Sequence, residues 1–191
     1  IGFTRNNGDV NFDNDFKTTK FLPAITIFGE GIFIDFDQNY IDNFLQKPEL
    51  EKEWKLFRDD FEPSEKRKTL LNTVSHSILK ATSRTSGYSL TSLKQRLYCN
   101  EKMSGILIYT SSSDAEGTLG GLSRLAETER MQQILEIAEE ISRICSNDPL
   151  CEEGIFSSDN ENNGSVCHSC LLVPETSCEF NNEYLSRGLL K

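Results

Sequence analysis

The chain has 191 residues, enough for one packed domain or for a core with a small appendage. It is 37% hydrophobic and 26% charged, an ordinary balance for a water-exposed fold, and no apolar run approaches the ~20 residues of a membrane span. A net charge of −10 excludes a protein that grips nucleic acid mainly through a basic surface, and leaves a partner or a local patch as routes to DNA.

No basic stretch, apolar run and small-residue cleavage site stand in series, so the expected location is cytoplasmic. The first residue is Ile1 rather than Met, which fits a processed chain or a part of a longer one. Six cysteines gather towards one end without an export signal, which favours metal over a disulfide framework.

In chain order, residues 1–5 read as strand, and residues 6–20 as an Asn- and Asp-rich loop. Residues 21–37 predict two strands, with Ile25 and Ile27 in the first and Ile32, Ile34 and Phe36 in the second. Gly29-Glu30-Gly31 would be the break between them. Residues 38–61 predict helix in two pieces parted near Pro48, with Trp54, Phe57 and Phe61 as a stripe and Pro63 as its stop. The strongest helix signal is 65–86, where Leu70, Leu71, Val74, Ile78, Leu79 and Thr82 share a face and Gly87 follows.

A short helix over 91–95 is expected to lead into a strand at 96–99. Residues 105–110 (GILIYT) have the continuous apolarity of a buried strand. A helix is expected to begin near Leu119, and residues 128–145 form an amphipathic helix carrying Met131, Ile134, Leu135, Ala138 and Ile141. The acidic stretch 152–164 is expected to be mobile, and 178–190 to close the chain as a helix. The expected fold is thus α/β, a mixed sheet flanked by helices, with a C-terminal cysteine-ligated zinc site. A core over 1–145 would carry a zinc-binding segment over 146–191.

The metal ligands expected are Cys151, Cys167, Cys170 and Cys178. Cys167 and Cys170 are parted by two residues, a spacing that lets one turn aim both sulfurs at an ion. Cys151 precedes that turn by a loop of fifteen residues, and Cys178 would sit at a helix start that favours the thiolate. Cys145 is the alternative to Cys151, His168 would point outward, and Cys99 reads as a small buried residue. Four thiolates fill a tetrahedron and leave no open position for catalysis.

The segment CHSCLLVPETSCEFNNEYLSR at 167–187 resembles the end of the domain of unknown function that closes the DrmB family of DISARM anti-phage defence. GFTR at 2–5, FGEGIFIDFD at 28–37 and ILIYTSSSDAEGTLGGLSRL at 106–125 resemble it in the same order. More distantly, Cys167, Cys170 and Cys178 are similar to the cysteines of the zinc-binding C-terminal domain of MrfA-type DNA helicases, whose upstream cysteine falls on Cys151. Related sequences often carry a second His one turn before His76, where this chain has Asn72. The resemblance implies a zinc-stabilised, non-catalytic accessory domain in bacteria that partners a DNA helicase or translocase subunit. It would dock that motor and help form a DNA path, with DNA reached through the complex and no small-molecule substrate.

The alternative is a nuclease-like phosphodiesterase using His76 or the acids around Asp114. No GxxxxGK[ST] and no His-x-Lys is present, and Glu53-Trp54-Lys55 is better explained by pairing along a helix. Arg84, Lys94 and Arg96, near Tyr88 and Tyr98, are the candidates for a nucleic-acid patch. Gly120 and Gly121, in the turn 117–121, are candidates for a phosphate cradle.

Overall fold

The computed structural model describes residues 29–100, 102–110 and 121–191. A three-stranded sheet carries β1 (Gly31–Asp35), β2 (Leu93–Asn100) and β3 (Met103–Thr110) in the order β1-β3-β2, with both pairings antiparallel. Helices α1 (Gln38–Leu45), α2 (Glu51–Trp54), α3 (Pro63–Ser86) and α4 (Thr128–Arg143) accompany it. The expected mixture of sheet and helix is therefore present.

Strand alternation splits the sheet into two unlike faces. Ile32, Leu93, Leu97, Ile106 and Ile108 point inward and are buried. Against them lies α3, which buries Leu70, Leu71, Ile78, Leu79 and Ala81. α4 packs on α3 through Ile134, Ala138 and Ile141.

Several boundaries differ from expectation, each for a local reason. Pro63 does not end the earlier helix; it opens α3 at a first-turn position, where its missing N–H costs nothing. Glu62 and Glu65 form a capping box there, and Gly87 closes the helix at φ 77°. No helix forms over 91–95. Residues 93–95 belong to β2, because pairing with Thr110, Tyr109 and Ile108 of the central strand outweighs local preference.

The helix expected near Leu119 starts outside the described residues, and Ser123–Ala126 is a single 3₁₀ turn. The strand expected at 1–5, the loop 6–20 and the first strand of 21–37 lie outside the described residues as well.

The closing helix over 178–190 does not form. Asn181, Asn182 and Tyr184 all have positive φ, which a right-handed helix cannot include. The side chain of Asn182 holds this path by bonding both backbone groups of Val173, at 3.0 and 2.8 Å. Only Arg187–Leu190 winds, as a 3₁₀ turn. The stretch 152–164 is also held: Asn163 accepts from Leu185 N at 2.9 Å and donates to Asn182 O at 2.9 Å, and Gly164 N bonds Leu185 O. Asparagine amides here replace the ladder that neither segment makes alone.

Glu65 links α3 to the preceding loop. Its carboxylate accepts from Glu62 N and pairs with Arg58, which also reaches Asn162 and Asp60. The Glu62 backbone N–H, with Arg58 behind it, holds the Glu65 carboxyl below its ordinary range against the opposing effect of burial. A carboxylate held down in the fold stabilises it above the unfolded value and loses that contribution as pH falls through the folded one. Glu65→Gln is therefore expected to lower the melting temperature at pH 7. The deficit should vanish in thermal scans taken below the usual carboxylate range of about 4.

Candidate metal centre

α4 ends at Arg143, and Cys145 follows immediately after. The end of that helix is fixed by Arg187, fully buried, whose guanidinium donates to Ser142 O at 3.3 Å and Arg143 O at 3.2 Å and pairs with Asp148. Asp148 in turn accepts from Cys145 N at 3.0 Å. A cation capping the helix C-terminus thus sets the position of the first sulfur. The turn after Asp148 brings in Cys151, and the Cys167–Cys170 knuckle arrives from the other side.

The sulfurs of Cys145, Cys151, Cys167 and Cys170 all lie within 4.8 Å of one another, and all four residues are buried. Cys145 to Cys167 is 3.4 Å, Cys151 to Cys170 is 3.7 Å and Cys167 to Cys170 is 3.8 Å. All are free thiols rather than disulfides. Sulfurs at ~2.3 Å from a tetrahedral zinc stand ~3.8 Å apart, so this donor set fits the ion in number, softness and spacing.

Amides support the sulfurs from outside: Cys167 N donates to Cys170 Sγ at 3.2 Å, Asn147 N to Cys145 at 3.4 Å, and Asn147 Nδ2 to Cys167 at 3.4 Å. Burial raises Cys151, and Cys170 beside it raises it further; burial also raises Cys170. Burial acts on Cys167 in the same sense, but bonds from Asn147, Cys145, Cys151 and the Cys170 backbone outweigh it and bring that thiol down to about 6. Lys80 reaches the carbonyls of Cys170 and Leu172, placing one cation beside the cluster. Burial lowers its pKa while Cys170 pulls it back up.

Of the four cysteines expected from sequence, the structure brings three together, adds Cys145 and leaves Cys178 out. Cys145 is not an alternative to Cys151, since both join the cluster. Cys178 is instead the end of a buried polar chain. Its sulfur stands 3.2 Å from His76 Nε2 and accepts from Asn182 N at 3.3 Å, Phe180 N at 3.4 Å and Gln95 Nε2 at 3.6 Å. His76 Nδ1 faces Leu171 O at 2.9 Å and must carry the proton, because a carbonyl only accepts. Asn72, where a second His was considered, donates to Glu183 O and accepts from Gln95, both through its amide.

The remaining candidates separate. Lys94 and Arg96 stand two apart on one face of β2. Arg84 is on the last turn of α3, the helix packed against the opposite face. Gly121 is exposed, and the next N–H, of Leu122, is taken by the Glu30 carboxylate at 2.9 Å. Gly120 and Asp114 lie outside the described residues. Glu53 of the Glu-x-Lys string accepts from Ser165 N, Ser165 Oγ and Ser186 Oγ, and so ties two loops together. Among the described residues, no helix is long and apolar enough to cross a membrane.

The MrfA Zn-binding domain family matches residues 74–171, a span that holds all four clustered cysteines and stops before Cys178. The chain belongs to this family. It is also 37% identical, over 213 aligned positions, to the DISARM protein DrmB of Bacillus paralicheniformis strain ATCC 9945a, with all of this chain aligned. The chain spans 38% of that relative's length. Both resemblances drawn from the residues are thereby shown.

His76 yields a pH test. Burial pulls its pKa from 6.5 to about 4, with Lys80 adding to the fall and the Leu171 carbonyl opposing it. The unfolded chain therefore binds the proton better, so stability is full above 6.5 and declines as pH falls towards 4. The slope contributed by this one group is at most about 1.4 kcal/mol per pH unit. Denaturant titrations between pH 7 and 4 are expected to show that slope, and His76→Gln to flatten it.

Proposed function

We propose that this chain is a zinc-clasped accessory module of a DISARM-type defence assembly, with zinc held by Cys145, Cys151, Cys167 and Cys170. Its role is to dock a DNA helicase or translocase subunit and to contribute to the path of the DNA. The observation that carries the reading is the closed set of four buried sulfurs, which suits structural zinc and offers no open coordination position. Family membership supports the metal, and the likeness to DrmB supports the setting.

In this reading the ion supplies a fixed charge at which four thiolates can coexist. The chain's own residues do the rest: Arg187 and Asp148 hold the Cys145 arm, Asn147 bridges to Cys167, and Lys80 pins the Cys170 arm on α3. Substitution at the cluster would release the metal and loosen the C-terminal third, because structural zinc binding is coupled to folding.

Metal analysis of the purified chain is expected to give about one zinc per molecule. Cys145→Ser and Cys170→Ser should lose it and melt at lower temperature, while Cys178→Ser should keep it. Retention of zinc by Cys145→Ser together with loss by Cys178→Ser would restore the ligand set expected from sequence. Docking is tested by co-purification with a DNA helicase or translocase subunit of a DISARM-type assembly. Wild type is expected to retain that subunit, and the zinc-free variants to retain much less.

A further inference from the structure

Among the described residues, no helix packs on the sheet's second face, whose side chains are exposed or half-buried. By register, Lys94 stands beside Tyr109 and Gly31; Arg96 beside Leu107 and Phe33; and Tyr98 beside Gly105 and Asp35. All of these residues point away from α3, since their alternating neighbours fill the core. Phe33 is 49% exposed and Tyr98 36%, while Arg96 is exposed and Lys94, Leu107 and Tyr109 are half-buried.

The two most exposed rings of this face meet although a strand runs between them. Phe33 and Tyr98 form an edge-to-face pair with centroids 5.6 Å apart. Gly105 makes this possible: a Cβ there would fall 2.5 Å from the Phe33 ring. Two aromatic rings left in water on a sheet, where alternation would ordinarily place polar side chains, mark a surface built for contact.

The charge of this face narrows the occupant. In a chain of net charge −10, two of its rows carry Lys94 and Arg96, with Asp35 as an acid in the third. Among the described residues, the Glu179 carboxylate is also near, and it is turned to the β2 edge, where it accepts from Leu97 N at 3.0 Å. A cavity of about 130 Å³ opens beside Lys94, Arg96 and Tyr109 at that edge. Cations that share their rows with rings, Lys94 with Tyr109 and Arg96 with Phe33, suit a ligand that carries both phosphates and unpaired bases. A duplex keeps its base faces stacked inside and would gain nothing from the rings.

We infer that the open face of the β1-β3-β2 sheet binds single-stranded nucleic acid, with Phe33 and Tyr98 stacking on bases and Lys94 and Arg96 pairing with phosphates. This rests on the proposed place of the chain along a DNA path, and adds which strand form is held and by which surface.

The test is fluorescence anisotropy of a labelled oligo-dT of about 15 nucleotides with the purified, zinc-loaded chain, against a duplex of equal length. The single strand is expected to bind more tightly. Phe33→Ala and Tyr98→Ala should each weaken it about tenfold. Lys94→Gln with Arg96→Gln should weaken it and reduce the salt slope by roughly 0.7 for each charge. Thermal melting and zinc content, measured on the same samples, identify any variant that has failed to fold.

Equal affinity for duplex and single strand, or ring variants that bind as wild type does, overturns the inference. Face variants that bind DNA normally but no longer retain the motor subunit also overturn it, by making the face a protein contact. A chain that holds zinc and the motor subunit but no single strand defeats this inference alone. A chain without zinc defeats the proposed function instead.

Discussion

Four cysteine sulfurs in a dry pocket cannot all carry charge unless a cation sits among them, and the rest of this structure is arranged around that constraint. Burial and mutual repulsion raise Cys151 and Cys170, while amide and thiol hydrogen bonds lower Cys167. Such a pocket favours neutral thiols at Cys151 and Cys170, and a divalent ion bound there would let all four sulfurs ionise. The cations around it, Lys80 and Arg187, bond to backbone carbonyls and to Asp148, and so hold the arms in place. Their charges also offset the excess negative charge that four thiolates leave on a divalent ion.

α3 transmits this arrangement to the sheet. It is unusually polar for a central helix, burying Thr69, Asn72, Thr73, Ser75, His76 and Ser77. Each buried group that reaches outward from it binds a different part of the fold. Ser77 meets Ala138 O of α4 at 2.6 Å, Thr73 receives Ser186 N at 3.0 Å, and Asn72 receives Gln95 of β2. A buried polar group without a partner costs about 1–3 kcal/mol, so each contact also selects against a misplaced neighbour. The helix specifies which segments surround it as well as burying their apolar faces.

The parts of the fold that were legible in the sequence are those where pattern and packing agree. The run from Leu70 to Thr82 had one solution, as did the apolar string of β3, because the first is regularly striped and the second runs between two other strands. Cysteine chemistry was legible at the CxxC turn, where spacing alone aims two sulfurs. The fourth member of the cluster was not legible, because Cys145 and Cys178 each flank a helical signal at similar reach. What separates them is the fate of 178–190. The expected helix there is broken by Asn181, Asn182 and Tyr184, whose left-handed backbone is stabilised by a side chain reaching Val173. That bond spans segments with no shared periodicity, so no local pattern announces it.

Cys178 lies outside the cluster, yet its surroundings resemble those of a ligand. Its sulfur takes backbone N–H groups much as a metal-bound sulfur does, yet its nearest side-chain neighbour is a neutral imidazole. The consequence is architectural. Leu171, adjacent to Cys170 of the cluster, offers its carbonyl to one nitrogen of His76, and Cys178 meets the other. Gln95 of β2 joins the same sulfur, and its strand neighbours Lys94 and Arg96 point out on the open face. A path of hydrogen bonds therefore runs from Leu171, beside the cysteine cluster, through α3 to the strand that bears Lys94 and Arg96. An ion held by the cluster would steady that surface without touching it, because each link in the path is buried and has its partner fixed.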